Sequence, residues 1–236
     1  MGKIIDFLFP PICPICGAPC DAHGMMCAAC WATFNWIGNP RCHICGYPFA
    51  ADLDLGPHPM CPVCAAGKNE IHWMRSACVY DDVSRNIMLP FKHAGRIKYR
   101  HIMARAMIGL LGDMPATPDL VMPVPLAWGR LFHRGYNQAT LLARPIARHL
   151  NIAIDVNSVR RKYRSDMGHK SARERAEHIH GVFCVVHPDA VRGKTILLVD
   201  DVFTSGATFS ELRRVLMRAG ARDVWGVTFC RVVHAI

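Results

Sequence analysis

The sequence predicts an α/β protein whose parallel sheet follows a small, metal-stabilised N-terminal segment. Three observations point there. Short, wholly apolar runs recur from about residue 119 onward, notably in Asp119-Leu-Val-Met-Pro-Val-Pro125 and Ile196-Leu-Leu-Val199, as strands buried on both faces require. Segments of helical period stand between them, the alternation that builds a parallel sheet covered on both sides. Eight of the 12 cysteines fall in four Cys-x-x-Cys pairs before residue 65.

The cysteine pairs are Cys13/Cys16, Cys27/Cys30, Cys42/Cys45 and Cys61/Cys64. One Cys-x-x-Cys turn offers two thiolates to an ion, and a second turn completes a closed tetrahedral zinc site. Residues 10 to 66 show little periodicity, so metal would supply the folding energy that so short a stretch lacks. The simplest pairing is sequential, with Cys13, Cys16, Cys27 and Cys30 on one zinc and Cys42, Cys45, Cys61 and Cys64 on another; an interleaved pairing stays open. Cys20, His23, His43 and His58 read as surplus loop residues. The domains are expected at 1–66 and 67–236.

With 51% hydrophobic residues the chain is a folded protein. No apolar run approaches the roughly 20 residues of a membrane span, and Asp6 with Pro10-Pro11 breaks the N-terminal apolar stretch, so a cytoplasmic protein is expected. The net charge of +10 points to anionic partners without choosing between phosphorylated small molecules and nucleic acid.

Beyond the cysteines, Ile71 to Tyr80 reads as a strand, and Asp82 as the cap of a helix that Pro90 interrupts. Lys92, His93 and Arg96 are basic residues within reach of a phosphate or simply solvated. Ile102 to Leu111 is an amphipathic helix. After Pro125, Arg130 and Arg134 flank a turn that leads through Asn137 into the helix Gln138 to Leu150, where Pro145 predicts a kink or a fresh start. Paired arginines beside a strand end suit a diphosphate. Residues 160 to 180 hold seven Lys or Arg against three acids, a segment suited to closing over a charged leaving group, or an exposed helix over residues 171–177. Val182 to Val186 and Val224 to Val233 are further strands, and Cys78, Cys184 and Cys230 read as packing residues.

The run Thr195-Ile-Leu-Leu-Val-Asp-Asp-Val-Phe-Thr-Ser-Gly-Ala-Thr208 carries the most chemistry. Asp200 and Asp201 at a strand end can accept hydrogen bonds from two vicinal hydroxyls, such as those of a ribose. Thr204, Ser205, Gly206, Ala207 and Thr208 then enter a helix, where backbone N–H groups and hydroxyls can surround a phosphate. Ligands of such sheets lie at the carboxyl ends of the strands.

This run resembles the phosphoribosyl pyrophosphate (PRPP) loop of type I phosphoribosyltransferases. Together with Pro123-Val-Pro-Leu126 and Arg134-Gly-Tyr-Asn-Gln-Ala139, the whole chain is similar to the ComF family, a double zinc ribbon followed by a phosphoribosyltransferase domain. The resemblance implies PRPP binding with Mg²⁺. Asp200 and Asp201 would lie on the ribose hydroxyls, residues 204–208 on the 5′-phosphate, and Arg130, Arg134 and Asn137 on the pyrophosphate, with residues 160 to 178 as a mobile loop. Asp200, Asp201 and Arg134 are thus the candidate catalytic residues. The family is associated with DNA uptake in natural competence. That leaves a second expectation, a non-catalytic factor contacting single-stranded DNA or DNA-processing proteins, because a fold does not prove its usual activity. No base-recognition motif names the acceptor.

Overall fold

A computed structural model of the chain describes residues 9–67, 70–93, 95–162 and 180–233. Two short helices belong to the cysteine-rich segment, α1 (Ala28–Ala32) and α2 (Pro62–Ala65). Then follow β1 (Met74–Val79), α3 (Asp82–His93), α4 (Arg100–Ile108), β2 (Leu120–Pro123), α5 (Trp128–Arg134), α6 (Gln138–Leu150) and β3 (Ala153–Ile154). The remainder is β4 (Val159–Arg161), β5 (Phe183–Val185), β6 (Thr195–Phe203), α7 (Ala207–Arg218) and β7 (Asp223–Arg231).

The main sheet has the order β1-β7-β6-β2-β3 and every pair is parallel. Its central strands alternate between two cores. Leu197, Val199, Val227 and Phe229 face a cluster with Ile87 and Phe91 of α3, Met103 of α4 and Leu142 of α6. Ile196, Leu198, Met122 and Val224 face the other, with Phe209, Leu212 and Leu216 of α7. Burial on both faces explains why these strands read as unbroken apolar runs. Where α7 crosses the sheet, Gly226 allows the approach: a Cβ there would lie 2.6 Å from the Phe209 ring.

Several expectations change. The Asp–Asp strand runs on to Phe203, so both acids lie within β6 and not beyond it. The strand expected at Val182 to Val186 does not join the parallel sheet. It pairs antiparallel with β4 as a two-stranded unit packed beside α7. The cap of α3 is Asp81, which accepts from Ser84 N–H at 2.9 Å while its own N–H donates to Ser84 Oγ at 2.9 Å. Pro90 does not interrupt α3, which continues to His93, and Pro145 lies inside an unbroken α6. Each proline withholds one helical donor, and the packing of the surrounding turns on the sheet carries the helix past it. The helix expected at 171–177 lies outside the described residues.

The cysteine-rich segment is laid along the outer edge of β1. Ile37 N–H donates to Ala77 C=O and Val79 N–H to Asn35 C=O, both at 2.9 Å, so the edge strand's backbone groups are paired, not left open. Phe34 and Trp36 pack against Phe229 of β7. No helix among the described residues is long and apolar enough to cross a membrane.

Candidate functional site

The carboxyl end of β6 and the start of α7 form the candidate site. Successive side chains of a strand point to opposite faces, so Asp200 and Asp201 cannot share one environment. Asp201 is 7% exposed and lies on the α3 side, where Lys92 Nζ approaches its Oδ1 at 3.2 Å. Asp200 is partly buried on the other face, and its Oδ1 accepts the Asp201 N–H at 2.8 Å. Burial, and then the negative charge of Asp201, push the Asp200 carboxyl up to about 8, against the opposing pull of that N–H, Lys92 and Arg161.

This shift sets a pH dependence. A carboxyl whose folded pKa rises from 3.8 to about 8 binds its proton more tightly in the folded chain, so its contribution to stability is lost as pH climbs through that range. Thermal unfolding of the ligand-free chain should therefore fall in temperature between these pH values. Asp200→Asn should abolish this part of the fall and raise the unfolding temperature at the alkaline end. Parallel curves for the two proteins would refute the assignment.

Past Phe203 the chain turns through exposed Thr204 and Ser205 to Gly206, whose φ is +80°. Glycine is required twice over: the left-handed backbone excludes a Cβ, and a Cβ would meet the tip of the Phe203 ring at 2.9 Å. Gly206 caps α7 without a side-chain bond, and its C=O accepts from Ser210 N–H at 2.9 Å. Among the described residues, the N–H groups of 204 to 209 have no acceptor. Six donors at the positive end of a 12-residue helix make a ready cradle for a phosphate.

The motif Arg134 to Ala139 also braces this site. Gly135 ends α5 in a left-handed turn. Tyr136 O–H donates to Phe91 C=O at 2.6 Å, and Gln138 Nε2 to Lys92 C=O at 3.4 Å, so the motif grips the end of α3 that presents Lys92. Asn137 caps α6 through Oδ1, accepting from Ala139 N–H, and ties down the strand-end turn through Nδ2, donating to Val124 C=O; both are 3.0 Å. Arg134 is half-buried and makes no ion pair among the described residues. Arg130 lies in the same helix by its backbone.

Lys92 is thus the residue that joins the acid pair, while the sequence left it between phosphate ligand and solvated surface. Its partner is distant in the chain, and the helix continuing past Pro90 is what carries it there. Most of the basic segment lies outside the described residues. Its far end is held at Gly181, whose N–H donates to Glu211 of α7 at 2.6 Å.

The cysteines gather in the sequential pairing. Cys13, Cys16, Cys27 and Cys30 form one set and Cys42, Cys45, Cys61 and Cys64 the other, with all sulfurs of a set within 4.8 Å of one another. Sulfurs at 3.6 Å, as in Cys16–Cys27 and Cys45–Cys61, fit a zinc tetrahedron, where Zn–S of about 2.3 Å implies about 3.8 Å between ligands. The two knuckles share a backbone plan: Gly17 N–H donates to Cys13 C=O and Gly46 N–H to Cys42 C=O, each at 2.9 Å. Cys20 Sγ instead bonds the carbonyls of Ala22 and Met25. The second set is wholly buried, whereas Cys16 of the first is exposed. The Cys42 thiol is drawn down to about 4 by its bond from Cys45 and by the N–H groups of Cys45, Cys61 and Ile44. Cys78 and Cys230 face each other across β1 and β7, buried as packing residues.

Two family models match the chain, a double zinc ribbon domain over residues 4–65 and a phosphoribosyl transferase domain over residues 137–234. DNA utilization protein YhgH of Salmonella typhimurium is 29% identical over 95% of this chain and 98% of its own length. Competence protein F of Haemophilus influenzae is 29% identical over 68% of this chain and 75% of its own, and competence protein ComFC of Bacillus subtilis 24% over 87% and 84%. A double zinc ribbon domain ahead of a phosphoribosyl transferase domain on a parallel sheet, with relatives named for DNA utilization and competence over two thirds or more of the chain, is the arrangement of the ComF family that the sequence resembles.

Proposed function

We propose that the chain binds PRPP at the turn from β6 into α7 and transfers its phosphoribosyl group to a nitrogen acceptor. The observation that carries this reading is the adjacency of the Asp200–Asp201 pair to six unpartnered N–H donors at one helix start. Thr204, Ser205, Gly206, Ala207 and Thr208 hold the 5′-phosphate, and the two aspartates orient the ribose hydroxyls. Lys92 holds Asp201 in place, and Arg130 and Arg134 draw off the pyrophosphate. Positioning and charge stabilisation supply the rate, so no covalent nucleophile is called for.

Among the described residues no third metal-ligating group gathers with Asp200 and Asp201, so there is no all-protein cage for a divalent cation. That fits Mg²⁺, which is held through substrate phosphates and one or two carboxylates and would neutralise the departing pyrophosphate. Asn137, with Oδ1 and one donor of Nδ2 engaged, shapes the strand-end turn and has a single N–H left for pyrophosphate. Thiols kept reduced for zinc suit a cytoplasmic protein.

The test is calorimetric titration of PRPP into the zinc-loaded chain with and without Mg²⁺. Saturable, Mg²⁺-dependent heat is expected, and turnover should follow in a screen of nitrogenous acceptors. Absence of binding in both conditions would sink the reading.

A second reading has its own support. Trp128 and Phe132 of α5 are 73% and 82% exposed and stack at 6.3 Å beside basic residues, a surface that can take unpaired bases, and relatives carry names of DNA utilization. Single-stranded DNA should then bind with an affinity that falls steeply as salt rises. Alanine at both aromatics should weaken it by about 1–3 kcal/mol per base lost. Salt-insensitive or absent binding excludes this role.

A further inference from the structure

Arg231, the last residue of β7, is 4% exposed and has no carboxylate partner among the described residues. A buried cation without a counter-charge is costly. Its Nη1 donates to the carbonyl of Cys45 at 2.6 Å, and its guanidinium lies over the Tyr47 ring at 5.4 Å. Both neighbours belong to the second cysteine knuckle. Its Nε is buried without a hydrogen-bond partner. Four thiolates on one Zn²⁺ carry a net charge of −2, and this set is buried, so the missing counter-charge is available once the metal is bound. Arg75, the other buried arginine reaching the knuckle carbonyls, is already paired with Asp113.

The same guanidinium also lies over the Phe203 ring at 5.1 Å, and Phe203 is its register partner in β6. The tip of that ring sits directly under Gly206, and its face is 5.7 Å from Phe209 in the first turn of α7. Knuckle, guanidinium, ring and phosphate loop are therefore in unbroken contact.

We infer that Arg231 is a positioning residue that ties the second zinc knuckle to the phosphate loop, so that metal loading there sets how well the loop is formed. The ligand half of this inference rests on the PRPP reading above. In this arrangement the knuckle is an internal brace for the ligand loop as well as a fold stabiliser.

Three measurements on the full-length, zinc-loaded chain test it: zinc affinity by chelator competition, hydrogen exchange of the backbone over residues 203–209, and PRPP titration with Mg²⁺. Arg231→Met should weaken the second zinc and PRPP by roughly 10- to 100-fold each, the range for groups that support a metal's ligands, and speed exchange in the loop. Arg231→Lys, which keeps the charge, should recover much of the zinc affinity. Phe203→Leu, which cuts the next contact, should leave zinc affinity unchanged yet still speed loop exchange and weaken PRPP, and it reports even where Arg231→Met fails to fold. Unchanged loop exchange in Phe203→Leu, or unchanged zinc affinity in a folded Arg231→Met, overturns the inference. A wild-type chain that binds no PRPP, but whose loop exchange responds as stated, overturns the ligand assignment and leaves the brace standing.

Discussion

Cys42→Ser should yield a chain that holds one zinc and has lost most of its stability, while Cys16→Ser should lose its zinc at far smaller cost. Both sets are closed four-cysteine sites, so the difference comes from where they sit. The second is buried throughout, and its knuckle carbonyls serve the sheet: Met74 N–H donates to Ile44 C=O at 2.9 Å, and Arg75 and Arg231 take the carbonyls of His43 and Cys45. Structural zinc contributes about 10–16 kcal/mol to a small site near neutral pH, as large as the roughly 5–15 kcal/mol that holds a typical domain together. Losing it where two strands depend on the knuckle should therefore unfold more than the ribbon. The first set has an exposed ligand, and the segment that follows it touches the sheet through Phe34 and Trp36. Zinc per chain from colorimetric release, read beside thermal unfolding, separates the two variants. Equal losses of stability would show that the ribbons are equivalent.

Joint replacement of Asp200 and Asp201 by Asn should remove PRPP binding while the fold survives. A hydroxyl hydrogen bond is worth about 0.5–1.5 kcal/mol to a neutral acceptor, the form that burial favours for Asp200, and about 1.5–3 kcal/mol to a charged one. Losing one of each costs about 2–4.5 kcal/mol, roughly 30-fold or more in affinity. The single variants should behave differently, because the acids stand on opposite faces of β6. Asp201→Asn strands the Lys92 ammonium, now 3.2 Å from its carboxylate, and so lowers stability as well as affinity. Asp200→Asn relieves a carboxyl whose ionised form is disfavoured, and so weakens PRPP without destabilising the chain at alkaline pH. Calorimetry with unfolding curves for all three variants gives the comparison. A double variant that binds PRPP within a few-fold of wild type would remove the aspartates from the site.

The sheet and the metal knuckles were legible because each is written locally. Ile196 to Val199 is apolar at every position since both faces of β6 are covered, and Cys-x-x-Cys spacing is itself the geometry of a knuckle. What escaped was whatever depends on a distant partner. The extension of β6 through two aspartates to Phe203 is possible because Lys92, far earlier in the chain, meets Asp201. Asp82 looked like the cap of α3, but the reciprocal bonds between Asp81 and Ser84 move it back by one residue. The motif at 134 to 139 read as ligand chemistry alone, and what escaped is that Tyr136, Asn137 and Gln138 also bond backbone carbonyls that position Lys92 and the Pro123-Val-Pro turn. Arg231 gave no signal at all, since its partner is a carbonyl 186 positions away.

The strand order has a bearing on biosynthesis. The strand made last, β7, lies between β1 and β6, so a nascent chain cannot zip its sheet until residues 223–231 have cleared the ribosome. The cysteine knuckles, made first, can capture metal and wait. A chain cut short before β7 would leave two long strands with raw, unmatched flanks, prey for proteases or for stacking on other unfinished copies.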